Sequence, residues 1–201
     1  MVTIGITGPS GAGKGAVSNI MRQCGLYVID ADKVYNDIIT PPSECLCEIA
    51  STFGKDIISS DGSLDKTKLS EKVFGAGCSD NLEALNRITH KYVVKKIRGI
   101  IACQCCLMPS ACVIDAPLLI EAGLKSDCLF TIAVLADKEI RAQRISIRDN
   151  ISRDRALARI NAQKNDDFYI GECDYTIYND DDIGSLHHKV IDLLKDRRII
   201  L

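Results

Sequence analysis

A glycine-rich run near the start of the chain joins two regular patterns. Residues 2–7 are mostly β-branched and predict a strand. Residues 14–24 carry apolar side chains at a helical period and predict a helix that stops at Gly25. At the junction, residues 8–14 read Gly-Pro-Ser-Gly-Ala-Gly-Lys and fit the pattern G-x-x-x-x-G-K. Because a strand precedes this pattern and a helix follows it, the order predicts a P-loop, whose backbone N–H groups cradle phosphates.

This loop supplies most of the candidate nucleotide contacts. Lys14 is placed to reach the β- and γ-phosphates as a point charge. Gly15 and Ala16 follow it, so the Ser or Thr hydroxyl that usually touches Mg²⁺ at this place is missing. A metal would then be held by phosphates, waters and a carboxylate, which suits Mg²⁺. The candidate contacts in the loop are Gly8, Pro9, Ser10, Gly11, Ala12, Gly13, Lys14, Gly15 and Ala16.

Four more short apolar runs predict strands, at residues 27–29, 111–114, 129–135 and 175–178. Helical patterns lie between them, so each strand returns to the sheet through a crossover and runs parallel to its neighbours. We therefore predict an α/β fold in which helices flank a five-stranded parallel sheet, built as a single domain over residues 1–201.

Two segments do not fit this alternation. Residues 42–110 look wholly helical, with a turn at Asp61-Gly62-Ser63 and one long helical pattern over residues 79–106. This is too much chain for one crossover and predicts a helical insert. Residues 137–165 are rich in arginine and predict two helices broken at Asp149-Asn150. The nucleotide-binding core is then expected to comprise residues 1–41, 111–136 and 166–201.

The arginine-rich segment predicts a lid. Arg141, Arg144 and Arg148 are spaced i, i+3 and i+7, so they share one helix face. Arginines on a closing lid can spread the charge of a phosphoryl group and exclude water. The alternative is a solvated basic face paired with Asp149 and Asp154.

Acidic residues follow two of the predicted strands. Asp115 ends the third strand and is the candidate carboxylate for Mg²⁺, although an ordinary acid at a strand end has the same pattern. Asp30 and Asp32 follow the second strand, at the sheet edge where open α/β folds bind ligands. A carboxylate there can accept a proton from a hydroxyl or cap the next helix.

Composition excludes several classes of protein. The chain has 201 residues, a net charge of −2 and 46% hydrophobic residues, typical of a globular protein and not of a nucleic-acid scaffold. No apolar run approaches the roughly 18 residues of a membrane span. We expect no leader, a cytoplasmic location, and no nucleic-acid, membrane or obligatory protein partner. The 10 cysteines are expected to be free thiols.

Motifs beyond the loop form an ordered set that spans nearly the whole chain. They are Val28-Ile29-Asp30-Ala31-Asp32, Asp61-Gly62-Ser63-Leu64-Asp65, Leu85-Asn86-Arg87-Ile88-Thr89-His90, Asp115-Ala116-Pro117-Leu118-Leu119-Ile120-Glu121, Gln143-Arg144, Arg148-Asp149 and Ala162-Gln163. Together with the loop, they resemble the dephospho-coenzyme A kinase family. The loop itself is shared by many families, whereas the Asp-Ala-Asp, Pro-Leu-Leu-Ile-Glu and His90 segments at these spacings are more specific.

The resemblance implies a P-loop kinase that moves a phosphate from ATP, with Mg²⁺, to the ribose 3′-hydroxyl of dephospho-coenzyme A, a small-molecule substrate. It implies Asp32 as the catalytic base, with Lys14 and the Arg148 segment acting on the phosphates. The helical insert becomes the acceptor-binding part. The implied ATP contacts outside the loop are Arg144, Arg148 and Asn179, and the implied acceptor contacts are Asp32, His90, Pro117, Leu118 and Glu121.

Two of these residues have an alternative interpretation. By its pattern, His90 lies at the edge of a wide apolar helix face, which favours a partly buried structural histidine. Asn179 precedes three aspartates and is equally typical of a turn. The chain also departs from the family at Lys91, where a proline normally follows the histidine, and at Gly15-Ala16, where the family usually has Ser-Thr.

Two other functions fit parts of the sequence. The Gly-Lys-Gly ending of the loop resembles nucleoside monophosphate kinases, particularly cytidylate kinase. The missing hydroxyls would also fit a P-loop switch protein that binds nucleotide and hydrolyses it slowly. The acidic pair after the second strand and the Pro-Leu-Leu-Ile-Glu segment argue against the first of these functions. The arginine-rich lid and the helical acceptor insert argue against the second.

Overall fold

The computed structural model describes residues 2–74, 79–105 and 110–201. The strands in these residues are β1 (Val2–Thr7), β2 (Tyr27–Asp30), β3 (Ala111–Asp115), β4 (Phe130–Leu135) and β5 (Tyr175–Tyr178). The helices are α1 (Lys14–Gln23), α2 (Ala31–Ile38), α3 (Glu44–Phe53), α4 (Lys66–Phe74), α5 (Ser79–Cys105), α6 (Lys138–Asp149), α7 (Arg153–Asn161), α8 (Asp166–Glu172) and α9 (Ile183–Asp196). Short 3₁₀ turns occupy Lys55–Ile57 and Leu124–Asp127.

The strands form one parallel sheet in the order β2-β3-β1-β4-β5. This confirms the predicted α/β fold with five parallel strands and flanking helices. Each predicted strand is present to within one residue, because each is a short apolar run bounded by a turn or an acid. In the observed register, Asp115 at the end of β3 lies beside both Ile6 of β1 and Asp30 of β2. Two acids therefore end neighbouring strands.

The described residues fall into two compact units. The first comprises Met1–Asp30 and Ile101–Leu201 and contains the sheet, and the second comprises Ala31–Ile100. No helix among the described residues is both long and apolar enough to span a bilayer. The predicted subregion boundaries within residues 1–201 stay predictions.

The sheet of the first unit is buried on both faces. Ile132 and Val134 of β4 pack in a core that also holds residues of α1 and α9. Ala133 and Leu135, which alternate with them, pack with Tyr169 of α8 on the other side. Since successive side chains of a strand point to opposite faces, this alternation requires cover on both faces of the sheet.

The second unit has its own core, in which Ile49, Ile57, Val73 and Ile88 are buried. The expectation that residues 42–110 are wholly helical is wrong at one place. Ile58 and Leu64 form an antiparallel bridge around a turn.

Side-chain chemistry explains this turn. The Asp61 carboxylate accepts hydrogen bonds from the Ser63 N–H at 3.0 Å and from its hydroxyl at 2.6 Å. Gly62 between them takes a φ of 83°. An Asp-Gly-Ser sequence therefore satisfies its own backbone in a turn and competes with the helix. The predicted helix over residues 79–106 is α5, whose predicted last residue lies outside the described residues.

The arginine-rich segment has the predicted break. Helix α6 ends at Asp149, and Asn150 caps it in the left-handed conformation with a φ of 51°. Ala142 and Ile145 of α6 pack against Ala156 and Ile160 of α7. The sequence analysis did not find α8, because its seven residues are too few to show a period.

Leu118 and Leu119 provide a test of how the segment after β3 packs against β1. Leu119 is fully buried, whereas its neighbour Leu118 is 45% exposed. We expect Leu119→Ala to lower the free energy of unfolding by about 3 kcal/mol, since it leaves a cavity beside Gly5. Leu118→Ala should change it by less than about 1 kcal/mol. Urea unfolding of both variants at neutral pH checks this, and equal losses would contradict the assigned packing.

Candidate active site

The loop between β1 and α1 has the backbone of a phosphate cradle. Gly8, Gly11 and Gly13 all have positive φ values, which turn the loop back on itself. Gly13 (φ 97°) is the residue before α1, and its carbonyl accepts the N–H groups of Ala16 and Val17. The N-terminus of α1 therefore opens directly at the loop and adds the positive end of the helix dipole.

Lys14 folds over this loop. Its ammonium donates to the carbonyl of Gly8 at 2.7 Å and to that of Pro9 at 3.4 Å. The lysine charge thus lies at the mouth of the loop, close to where the pattern predicted a phosphate contact.

The outer side of the loop is held by donors from distant parts of the first unit. The carbonyl of Ser10 accepts from Arg141 Nε at 3.1 Å. The carbonyl of Gly11 accepts from Arg144 Nη1 at 3.4 Å. Continuing along the loop, the Ala12 carbonyl accepts from Asn179 Nδ2 at 2.8 Å. Three consecutive carbonyls are therefore satisfied by side chains, so the loop keeps its shape without any ligand.

Asn179 is buried and belongs to this support. Its backbone N–H donates to Leu135, and its carbonyl accepts from Arg144 Nη2 at 3.0 Å. A Cβ at Gly13 would lie 2.0 Å from Asn179 Nδ2, so the close fit of loop and amide excludes any side chain there. Asn179 is thus adjacent to the loop through its amide, a contact that no local sequence pattern predicts.

Arg148 completes the arginine face of α6. Its guanidinium donates to Asp149 with Nε at 2.8 Å and Nη2 at 2.9 Å, and Nη2 also lies 3.4 Å from Ser10 Oγ. Its side chain is 58% exposed. The hydrogen bond from Arg148, together with one from Arg159, holds the pKa of Asp149 down at about 2. Arg148 is thus paired with an acid and also reaches the loop, while its role in a lid stays a prediction.

Two residues at the loop were missed as candidates from the sequence. Gln163 accepts the Ser10 N–H with its side-chain oxygen at 3.0 Å. Arg141 was placed on the right face of α6 but not among the site residues. It is 4% exposed, its burial lowers its pKa, and its Nη2 is buried with no partner among the described residues. No local sequence pattern marks their contacts with the loop, because each residue hydrogen-bonds to the backbone of Ser10, more than 100 residues away.

Asp115 has a defined partner at the carboxyl end of β3. The buried hydroxyl of Ser18 on α1 donates to its Oδ2 at 2.6 Å. The segment that follows is anchored as well, since Thr7 Oγ1 donates to the carbonyl of Pro117 at 3.0 Å. Leu118 and Glu121 in the turn beyond are exposed. The candidate metal carboxylate and the three candidate acceptor residues thus follow one strand of the first unit.

The remaining candidates belong to the second unit. Asp32 is exposed in the first turn of α2, two residues after β2 ends. His90 is half-buried on α5. The next residue, Lys91, pairs with Glu48 of α3 at 2.5 Å, and Tyr92 donates to the same carboxylate oxygen at 2.7 Å. The lysine at the family's proline position therefore ties α5 to α3.

No group of three or more acidic, histidine or cysteine side chains that could hold a metal was found within residues 2–74, 79–105 and 110–201. The carboxylate oxygens of Asp115 are hard donors of the kind Mg²⁺ prefers, and Mg²⁺ commonly completes its shell with waters and substrate phosphates. The donor chemistry thus fits a metal that arrives with a nucleotide.

Comparison with known proteins identifies the family. The family model described as dephospho-CoA kinase matches residues 2–185. The chain belongs to the dephospho-CoA kinase family. A dephospho-CoA kinase from Carboxydothermus hydrogenoformans is 36% identical over 192 residues, covering 96% of this chain and 92% of the relative. One from Corynebacterium glutamicum is 31% identical over 196 residues, covering 98% and 97%.

Solved structures agree on the fold. The dephospho-CoA kinase from Campylobacter jejuni superposes with a TM-score of 0.70 at 23% identity, covering 97% of this chain and 96% of that one. The resemblance stated from the sequence motifs is therefore confirmed, and with it an ATP-dependent kinase with the P-loop fold. The roles of individual site residues stay predictions.

The fit of Gly13 against Asn179 can be tested by substitution. We expect Gly13→Ala to weaken ATP binding by more than about 100-fold, because the methyl group displaces the amide that holds the loop. Gly25 at the other end of α1 is a matched control. It also has a positive φ (81°), but a Cβ there meets nothing within 4 Å. Gly25→Ala should cost about 1–2 kcal/mol of stability and leave ATP binding intact. Calorimetric titration with ATP separates the two, and similar affinities would contradict the fit.

The ion pairs of Asp149 predict a pH dependence. Because its folded pKa of about 2 lies below that of an unfolded aspartate, its stabilising contribution is complete near neutral pH. It is lost as the pH falls from about 4 through the folded value. We expect Asp149→Asn to lower the Tm at pH 7 and the gap from wild type to close in acid. Asp196→Asn, which removes a carboxylate elsewhere, is the control. A gap that is constant with pH would contradict this assignment.

Proposed function

We propose that this chain transfers the γ-phosphate of ATP to the ribose 3′-hydroxyl of dephospho-coenzyme A and releases coenzyme A and ADP. The observation that carries the acceptor is the family match over residues 2–185, which takes in motifs from both units. The loop geometry supports the donor side independently, since its backbone and Lys14 form a phosphate cradle. In this reaction the 3′-oxygen bonds to the γ-phosphorus, and the bond from that phosphorus to the β–γ bridging oxygen breaks.

On the donor side, the proposed roles follow from position. Lys14 binds the β- and γ-phosphates, and the loop of residues 8–16 surrounds them. Arg148 acts on the transferring phosphoryl group in this proposal, because its guanidinium is largely exposed and already reaches Ser10 Oγ. Arg144 and Asn179 bind nucleotide at the loop's rim and hold its carbonyls. In this proposal, residues 137–165 close over the nucleotide as a lid and exclude water.

On the acceptor side, Asp32 takes the proton of the 3′-hydroxyl as the hydroxyl attacks. An exposed carboxylate in the first turn of a helix is accessible to a substrate hydroxyl, which displaces its bound water. His90, Pro117, Leu118 and Glu121 are the proposed contacts to the rest of the acceptor. Residues 42–110 form the acceptor-binding insert in this scheme.

Mg²⁺ is the proposed metal, and Asp115 is its carboxylate, through water. When bound with ATP, Mg²⁺ neutralises part of the phosphate charge. We place the enzyme in the cytoplasm, acting on a small molecule without a nucleic-acid, membrane or protein partner. The net charge of −2 supports the first of these exclusions, since duplex binding usually needs a basic face.

Removing the proposed base tests the mechanism. We expect Asp32→Asn to lower kcat by about 100- to 10,000-fold, the usual contribution of a general base, while ATP binding is kept. Asp37→Asn, an exposed aspartate later on the same helix, is the matched control and should turn over normally. The measurement is ADP release in a coupled assay together with ATP titration. Turnover near wild type in Asp32→Asn would remove this residue from the mechanism.

The acceptor is tested with wild-type enzyme, ATP and Mg²⁺. Dephospho-coenzyme A, AMP, CMP and no acceptor are offered in parallel. Release of ADP only with dephospho-coenzyme A is the expected result. Release with CMP alone would favour a nucleoside monophosphate kinase, as the Gly-Lys-Gly ending suggests. ATP binding without release in any mixture would favour a nucleotide-binding switch.

A further inference from the structure

The first turn of α1 lacks a group that P-loop enzymes normally use there. A Ser or Thr directly after the lysine usually places its hydroxyl on Mg²⁺, together with a strand-end aspartate. Here Gly15 and Ala16 provide no hydroxyl. The space for one exists, because a Cβ at Gly15 would meet no atom within 4 Å. The strand-end aspartate, Asp115, is present, and a hydrogen-bond partner on α1 can fix its orientation.

Ser18 provides that partner from one turn further along α1. Its side chain is fully buried, and its neighbours on the buried side of the helix, Val17, Ile20 and Met21, are apolar. A hydroxyl in such surroundings is costly unless it is hydrogen-bonded. It donates to Asp115 Oδ2 at 2.6 Å, the length of a strong hydrogen bond to a carboxylate. One oxygen of Asp115 is thereby fixed.

The position of Ser18 decides whether its hydroxyl could be a metal ligand itself or could act through Asp115. Gly15 and Ser18 are three residues apart, so they lie on the same side of α1. A rise of about 1.5 Å per residue puts Ser18 roughly 4.5 Å further from the loop than a hydroxyl at position 15. Ser18 is thus too far along the helix to replace the missing metal ligand directly, whereas it is in contact with the carboxylate that remains.

We infer that Ser18 is a positioning residue for the metal carboxylate. Its hydrogen bond fixes the orientation of Asp115 and in this way compensates for the hydroxyl that is missing at position 15. Asp115 would then hold Mg²⁺ through water from a fixed orientation when the metal arrives with the nucleotide. The inference rests on the proposed use of Asp115 for Mg²⁺ but not on the identity of the acceptor.

The test is ATP binding to the full-length protein without any acceptor, by calorimetry, once with saturating MgCl₂ and once with EDTA. The quantity compared is the ATP affinity in MgCl₂ divided by the ATP affinity in EDTA. We expect Ser18→Ala to lower this ratio by about 10-fold, a usual cost of losing a group that orients a metal ligand. The affinity in EDTA should stay within about twofold of wild type, since the loop itself is untouched. A ratio equal to that of wild type, or an equal loss under both conditions, would reduce Ser18 to a structural role.

Three further variants sharpen the result. Gly15→Ser in the Ser18→Ala background should restore the ratio, because it returns a hydroxyl to the first turn; failure to restore it overturns the inference.

Ser146→Ala is the control, since its hydroxyl oxygen on α6 is buried without a partner in the described part of the chain. Should Ser18→Ala not fold, Ser18→Cys keeps the volume but weakens the donor, and the same ratio must fall. Wild-type turnover of dephospho-coenzyme A is measured separately, so a wrong acceptor leaves this test intact.

Discussion

The site depends on where the carbonyls of the phosphate loop find their donors. A loop that turns its N–H groups toward a ligand must turn carbonyls the other way, and a buried carbonyl without a donor is costly. Here the carbonyls of residues 10–12 are satisfied one by one by Arg141, Arg144 and Asn179. These donors come from α6 and from the end of β5. Packing of the first unit therefore holds the loop in its cradle form before any nucleotide arrives.

The arginine-rich helix α6 divides its residues between support and chemistry. Arg141 is buried and bound to the loop backbone, so it is part of the scaffold. Arg148 is largely exposed and paired with Asp149, and it is the residue of this helix proposed to act on the transferring phosphate. Arg144 lies between the two in position and in burial. Along this helix face the arginines thus become more exposed from Arg141 to Arg148.

Local patterns in the sequence predicted most of the fold and part of the site. The strands and most of the helices could be predicted because each is marked by apolar residues at a regular spacing within a short stretch of sequence. The phosphate loop could be predicted for the same reason, since the spacing of residues 8–14 matches a known pattern. The Asp61 turn was found, but the bridge that it closes was not. Ser18 and the scaffold role of Arg141 were missed, and Gln163 was part of a family motif but was given no role. A serine, a glutamine or an arginine carries no local sign of a distant partner.

By itself, the sequence determined the order of strands and helices, the phosphate loop and the acids that end β2 and β3, because each is encoded by neighbouring residues. Only the tertiary structure decided which side chains support the loop and which one orients Asp115. The Ser10–Arg141 and Ala12–Asn179 contacts span 131 and 167 residues. Ser18 and Asp115 are 97 residues apart. Hydrogen bonds of this kind form only when the parallel sheet has brought its strand ends, α1 and α6 together, and no local pattern contains that information.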